Sequence, residues 1–291
     1  MRSGYLYALG AYILWGLLPI YWKWLQHVPS GQVISHRITW SLLMLLLIIS
    51  VTRQWPRFRQ SLNRRILVLY SLAGILLSGN WLVYVWAVNA GHIVETSLGY
   101  FINPLLSIVL GMIFLRESLR PGQWVPVFLA AAGVAYLTVV YGSLPWIALV
   151  LAFSFGFYGL VKKLAPMGSV HGLTVETGVV FIPATCYLLF KEFSGTGSFG
   201  HLGTGSDLLM IGAGLVTIVP LLLFASAATR IPLTMIGIMQ YIAPTIQFLI
   251  GVFMYHEPFS RDRLIGFTLV WVALLLFWIE GVVVRQLKAR K

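Results

Sequence analysis

Charge is what this sequence has least of. Only 10% of its 291 residues are Asp, Glu, Lys or Arg, against roughly 25% in an ordinary soluble domain. Carboxylates are scarcer still: 8 Asp and Glu stand against 20 Lys and Arg, a net charge of +12. That excess excludes a nucleic-acid surface, because the basic residues stand singly between apolar runs instead of clustering into a patch. The single cysteine, Cys186, excludes an intramolecular disulfide and reads as a small buried apolar residue. The 6 histidines (His27, His36, His92, His171, His201, His256) fall in loops or near span ends without ligand spacing. No metal site, no cofactor and no intramembrane nucleophile with its base is expected, and hence no enzyme. No small-residue cleavage site follows the first apolar stretch, which reads as a retained span.

What is abundant is apolar length. Hydrophobic residues make up 59% of the chain and the mean hydropathy is +0.87. A bilayer core takes about 20 apolar residues per helix. Runs bounded by charge, Pro and Gly predict ten spans, near 5–25, 33–52, 66–89, 93–115, 122–141, 144–163, 172–191, 207–229, 233–255 and 262–284. The fold class is an all-α integral membrane protein. With the N-terminus inside, one side receives Arg2, the arginines of 53–65, Arg116, Arg120, Lys162, Lys163, Arg230 and the basic tail. The other receives only Lys23, Lys191, Arg261 and Arg263. The positive-inside bias places both termini in the cytoplasm.

Residues 8–140 echo 148–280 at one offset of 140: Gly16 with Gly156, Lys23 with Lys163, Ala73-Gly74 with Ala213-Gly214, Pro104 with Pro244, Gly111 with Gly251 and Glu117 with Glu257. The period is far too long for a solenoid. It divides the chain into repeats at 1–142 and 143–291, five spans each. Five is odd, so the second copy enters the membrane inverted. The equivalent loops agree: 53–65 carries five arginines, whereas 193–205 carries no Lys or Arg and five glycines. The glycine-rich loop is expected to be a flexible external linker. Inverted repeats imply alternating access around a central cavity.

Polar groups inside the spans locate the candidate site, since they are costly unless buried in a bundle or wetted. In span four, Glu95, Gly99, Asn103, Ser107 and Gly111 fall four apart, with Tyr100 beside them and Pro104 at the centre. Span nine answers with Gly237, Gln240, Pro244, Gln247 and Gly251. The mid-helix prolines free carbonyls and permit bends. Span three adds Asn80 and Tyr84; spans one and six add Trp15 and Tyr158 near mid-depth, where an interfacial belt does not account for an aromatic. Expected substrate contacts are therefore Trp15, Asn80, Tyr84, Tyr100, Asn103, Tyr158, Gln240 and Gln247. The alternative is that the small residues and amides serve helix packing alone. No carboxylate is expected at the midplane. Glu95 lies a turn inside the outer face at the depth of His36 and Arg37, and a Glu95–Arg37 pair would either close the outer mouth or neutralise two partly buried charges. Glu117 and Glu257 end spans four and nine and are expected to reach amides at the start of the next helix.

At these residues the chain resembles a known family. Glu95–Glu117 (ETSLGYFINPLLSIVLGMIFLRE), QYIAPT at 240–245 and the duplicated ten-span plan are similar to the EamA repeats of the drug/metabolite transporter superfamily. SHRITW (35–40), GNWLVYVWAVN (79–89), LAFSFGFYGLVKK (151–163) and VPLLLFASAATR (219–230) resemble its RarD branch. The resemblance implies a permease of the bacterial inner membrane whose cavity is lined by spans one, three, four, six, eight and nine. The expected function is secondary-active transport, by export, of a small neutral or zwitterionic metabolite or drug. The protein is expected to work as a monomer or homodimer in the lipid bilayer. Uptake, a membrane enzyme and a non-transporting membrane partner are the competing readings.

Overall fold

The computed structural model describes residues 2–89, 93–141, 146–165, 167–255 and 261–289, apart from the side chains at 2, 85, 88–89, 93–98, 141, 248, 251, 263, 267, 274, 282 and 284–289. Among the described residues the secondary structure is entirely helical. In hydrocarbon a chain must satisfy its backbone hydrogen bonds within the segment, and a helix does so. The helices are α1 (Arg2–Trp24), α2 (Ser30–Val51), α3 (Trp55–Ser61), α4 (Arg64–Asn89), α5 (Ile93–Leu115) and α6 (Pro121–Tyr141). There follow α7 (Trp146–Leu164), α8 (Ser169–Phe193), α9 (Thr204–Ala228), α10 (Leu233–Gln240), α11 (Ile242–Leu249) and α12 (Arg261–Ala289). Among the described residues, 9 helical stretches are long and apolar enough to cross a membrane, Leu233–Met254 counting as one, and Gly99–Leu115 of α5 is a shorter apolar helix.

One feature carries the expected proline bend further, and two depart from the sequence expectation. The ninth segment is not one helix: it breaks at Tyr241 between α10 and α11, and ends in a π-helical turn over Ile250–Met254. Pro244 removes the amide that would hydrogen-bond the Gln240 carbonyl, so the ladder is interrupted at that point. In the arginine loop, Trp55–Ser61 forms the short helix α3, whose Phe58 ring packs 5.5 Å from that of His171. The glycine-rich loop is a built turn, not a free linker. Gly195, Gly200 and Gly203 take positive φ, which glycine adopts without strain. The Gln32 side chain then pins the loop twice, donating to the Thr196 carbonyl at 2.8 Å and accepting from the Ser198 amide at 2.8 Å.

One end of the bundle gathers the start of α1 and the ends of α5, α7 and α9. Gly4 packs against Arg230 and Ile231, Lys163 Nζ donates to the Ile231 carbonyl at 2.7 Å, and Glu117 reaches Leu233. This is the basic end. At the far end Tyr21 meets Leu209, and His27 lies 2.7 Å from Ser206. The bundle's outer surface is studded with exposed Leu, Ile, Val and Phe, as a lipid-facing surface requires. Cys186 is exposed on it, beside Ile182, Leu189 and Phe190 on α8, and is not the buried residue its apolar surroundings suggested.

The main helix contacts cross the middle of the chain: α5 on α7, α6 on α12, α2 on α8 and α9, α1 on α9, α10 and α11, α4 on α7 and α8, and α5 on α10. Glycines sit where these backbones come closest. A Cβ on Gly16 would meet Ile246 at 2.7 Å, and one on Gly156 would meet Leu106 at 2.8 Å. Both partners differ by the same offset of 140 as the glycines themselves. Phe101 and Tyr241, also 140 apart, touch each other: their rings lie 6.1 Å apart and the Tyr241 hydroxyl donates to the Phe101 carbonyl at 3.3 Å. Trp15 and Phe155 form another such self-matched pair, edge to face at 5.7 Å.

Candidate functional site

Away from the basic end the helices part around a cavity of about 820 Å³, counted with the open space at its mouth. Its walls come from α1, α2, α4, α5, α7, α9, α10 and α11. Of the expected contacts, Trp15, Asn80, Tyr84, Tyr100, Gln240 and Gln247 line it together, and Arg37 and Pro244 join them. The floor is aromatic. Trp15 packs on Tyr12, Phe155 and Phe224 with ring centroids 5.5–5.7 Å apart, and Tyr12 and Phe224 are sealed from solvent. These rings close the path toward the basic end.

Prolines set up part of the wall. Pro19 in α1 cannot hydrogen-bond the Trp15 carbonyl, which is thereby left without its intrahelical donor. Gln247 supplies one, its Nε2 donating to the Trp15 oxygen at 3.1 Å. Pro104 and Pro244 free the Tyr100 and Gln240 carbonyls in the same way, and both residues border the cavity. Asn80 is committed to the frame: its Nδ2 donates to the Leu151 carbonyl and to Ser154 Oγ, each at 3.0 Å. Tyr84 and Tyr100 meet edge to face at 5.7 Å.

Arg37 is the only charged residue among the described lining. Its guanidinium carbon lies over two indole rings, 4.5 Å from Trp22 and 4.4 Å from Trp81, and its Nε donates to Thr217 Oγ1 at 3.0 Å. His36 points elsewhere, stacking on Phe199 at 5.2 Å, and takes no part in the cavity. The Glu95 side chain and Glu257 lie outside the described residues, so the expected pairing of Glu95 with Arg37 does not enter the structure.

Two expected contacts are placed away from the cavity. Asn103 is buried where α5 meets α10; its oxygen is 3.4 Å from Ser107 Oγ, and its Nδ2 has no hydrogen-bond partner among the described residues. Tyr158 is buried beyond the aromatic floor, donating to Glu176 Oε2 at 3.2 Å. Glu176 is a buried carboxylate in α8 that the sequence did not single out. It is 1% exposed and accepts from Lys162 Nζ at 2.6 Å, an ion pair with both side chains sealed. Lys162, counted from sequence with the basic loops, lies inside the bundle with its ammonium over the Tyr70 ring at 5.3 Å. A narrow crevice leads to Glu176, and Leu77, Trp81 and Leu221 line both it and the cavity. Sequence spacing could not pair residues 14 apart on two helices, and Lys162 stands beside Lys163, so nothing in the sequence set it apart.

Glu117 corrects another expectation. Its carboxylate accepts from the Leu233 amide at 2.8 Å and the Thr234 amide at 2.9 Å, capping α10 across the molecule and not the following helix. The chain turns at Arg116, in the left-handed region at φ 54°, which brings Glu117 into the space left by Gly111.

Comparison with known proteins agrees with this architecture. The model of the EamA-like transporter family matches residues 2–139 and again 144–279. The chain is 48% identical over 281 residues to the transporter YojE of Bacillus subtilis, covering 95% of this chain and 93% of that one. It is 45% identical over 291 residues to the protein RarD of Streptomyces exfoliatus, covering 99% and 92%. A crystal structure at 16% identity superposes with a TM-score of 0.68, over 95% of this chain and 97% of the other, and so shares the fold.

Proposed function

The chain belongs to the EamA-like transporter family, and on that premise we propose that it exports small organic metabolites or drugs by alternating access between two inverted five-helix repeats, 1–142 and 143–291. It is a multi-pass membrane transporter of RarD type. The observation that carries the proposal is that the cavity is built from both halves at matched positions. Trp15 faces Phe155, Tyr100 and Gln240 are 140 apart, and the Phe101–Tyr241 contact falls where a two-fold axis between the halves would pass. The basic ends of the helices face the cytoplasm in this reading. The cavity then opens outward and the aromatic floor is the closed inner gate.

Inverted repeats predict the opposite state. When the halves exchange conformations, the repeat mates of the present lining take its place. The mates of Leu18, Trp22, Ala243 and Gln247 are Tyr158, Lys162, Asn103 and Ser107, all now buried. Asn103 and Tyr158 thus become cavity residues in the inward-open state.

Proteoliposomes test the proposal. A carrier gives saturable counterflow of a candidate solute, and Gln240→Leu reduces it with membrane insertion intact. Flux that rises linearly with solute, unchanged by Gln240→Leu and Trp15→Ala alike, would refute it.

A further inference from the structure

Arg37 is the one charged residue among the described lining, and a cavity of aromatic, apolar and amide groups does not account for it. A guanidinium within a membrane bundle is expensive, and such residues either pair with a carboxylate or serve a permeant. Among the described residues the ion pairs are Arg120–Glu280, Lys162–Glu176 and His201–Glu192, and none involves Arg37. Its described neighbours hold it without neutralising it. The indoles of Trp22 and Trp81 stabilise the cation through their π faces. Thr217 occupies only Nε. Among the described residues Nη1 and Nη2 have no hydrogen-bond acceptor, and Arg37 borders the open cavity. A planar fork fixed in this way, with one edge that no described residue satisfies, matches the two oxygens of a carboxylate.

We infer that Arg37 is the anchor of an anionic solute, and that the molecules this protein carries are organic carboxylates with a flat or apolar body. The inference rests on the carrier reading above and narrows its cargo. One cation neutralises one carboxylate. A phosphate monoester carries nearly two charges and would leave net charge in a low-dielectric site. The apolar body is accommodated by the Trp15, Phe155 and Trp81 faces, and the Tyr84 and Tyr100 pair borders the same space. A zwitterion satisfies the requirement through its carboxylate; a neutral solute leaves Arg37 unpaired.

The test uses the full chain in lipid nanodiscs and matched probes: 3-phenylpropionate against 3-phenylpropionamide, benzoate against benzamide, and phenyl phosphate as a separate arm. Binding is read by calorimetry and by tryptophan fluorescence. Each acid is expected to bind about 10- to 100-fold more tightly than its amide, the range of a charge-assisted bidentate contact. R37Q loses that preference, while R37K retains part of it and guards against misfolding as the cause. Amides that bind as tightly as the acids, or a preference that survives in R37Q, would overturn the inference and leave the carrier reading standing. Phenyl phosphate displacing the carboxylates overturns it in favour of a phosphate site. No saturable binding by any probe counts against both readings.

Discussion

Neutralising one member of the buried Lys162–Glu176 pair should destabilise the protein more than any surface substitution. In Glu176→Gln the Lys162 ammonium keeps its charge and faces a neutral amide where a carboxylate oxygen stood 2.6 Å away. What remains around it is the Tyr70 ring at 5.3 Å and the Tyr158 ring at 6.0 Å. Breaking a buried pair from one side costs about 3–5 kcal/mol, because the surviving charge is left uncompensated. Counted as room for the centres of water molecules, the adjoining crevice has ≈ 20 Å³, about one water, against ≈ 100 Å³ in the cavity, so relief by hydration is small. Lys162→Met leaves Glu176 with only the Tyr158 hydroxyl and falls in the same range. The double variant has no orphaned charge and should recover most of the loss. Reversible unfolding of purified protein in mixed micelles measures all four corners of the cycle. Additive single losses in the double variant, or single variants within about 1 kcal/mol of the parent, would refute the reasoning.

Further outcomes follow from the contacts between halves. Glu117→Gln weakens two charge-assisted bonds to the amides of Leu233 and Thr234 and should cost about 1.5–3 kcal/mol, read in the same unfolding assay; a loss no larger than that of a surface glutamate would show the cap to be idle. Gly74→Ala drives a Cβ to 2.6 Å from the Glu176 carbonyl oxygen, whereas Gly156→Ala meets the tip of Leu106, which can turn away. The first should cost about 1–3 kcal/mol and the second distinctly less; the reverse order would contradict the packing.

The spans were readable because a membrane imposes length and composition, and the observed helix ends fall within a few residues of the predicted runs. The repeat was readable because Gly, Pro and Glu mark backbone geometry and survive in register. The residues that now meet across the molecule were less so. Asn103 and Tyr158 share the polarity of cavity residues, yet they are buried away from the cavity, and periodicity within one helix says nothing of depth along the cavity. Glu117 looked like a cap for its own hairpin, but the chain turn at Arg116 sends it to α10, a long-range contact that no local spacing encodes. Lys162 read as an ordinary span-end charge and no spacing singled out Glu176, since their burial depends on α4 covering both. Pro244 announced a bend, and the break at Tyr241 is its consequence. The left-handed glycines of 195–203 looked like freedom; only the partner Gln32 shows that they fold the loop onto α2.

Accessibility at repeat mates tests inverted alternating access most directly. In a Cys186→Ser background, Leu18→Cys sits in the present cavity, whereas Ser107→Cys replaces the buried mate of the lining residue Gln247. A membrane-impermeant thiol reagent should label the first from the outer face and the second from the cytoplasmic face, and a transported solute should shift the two rates in opposite directions. Labelling of both from one face, or rates that rise and fall together, would contradict an exchange of conformations between the halves.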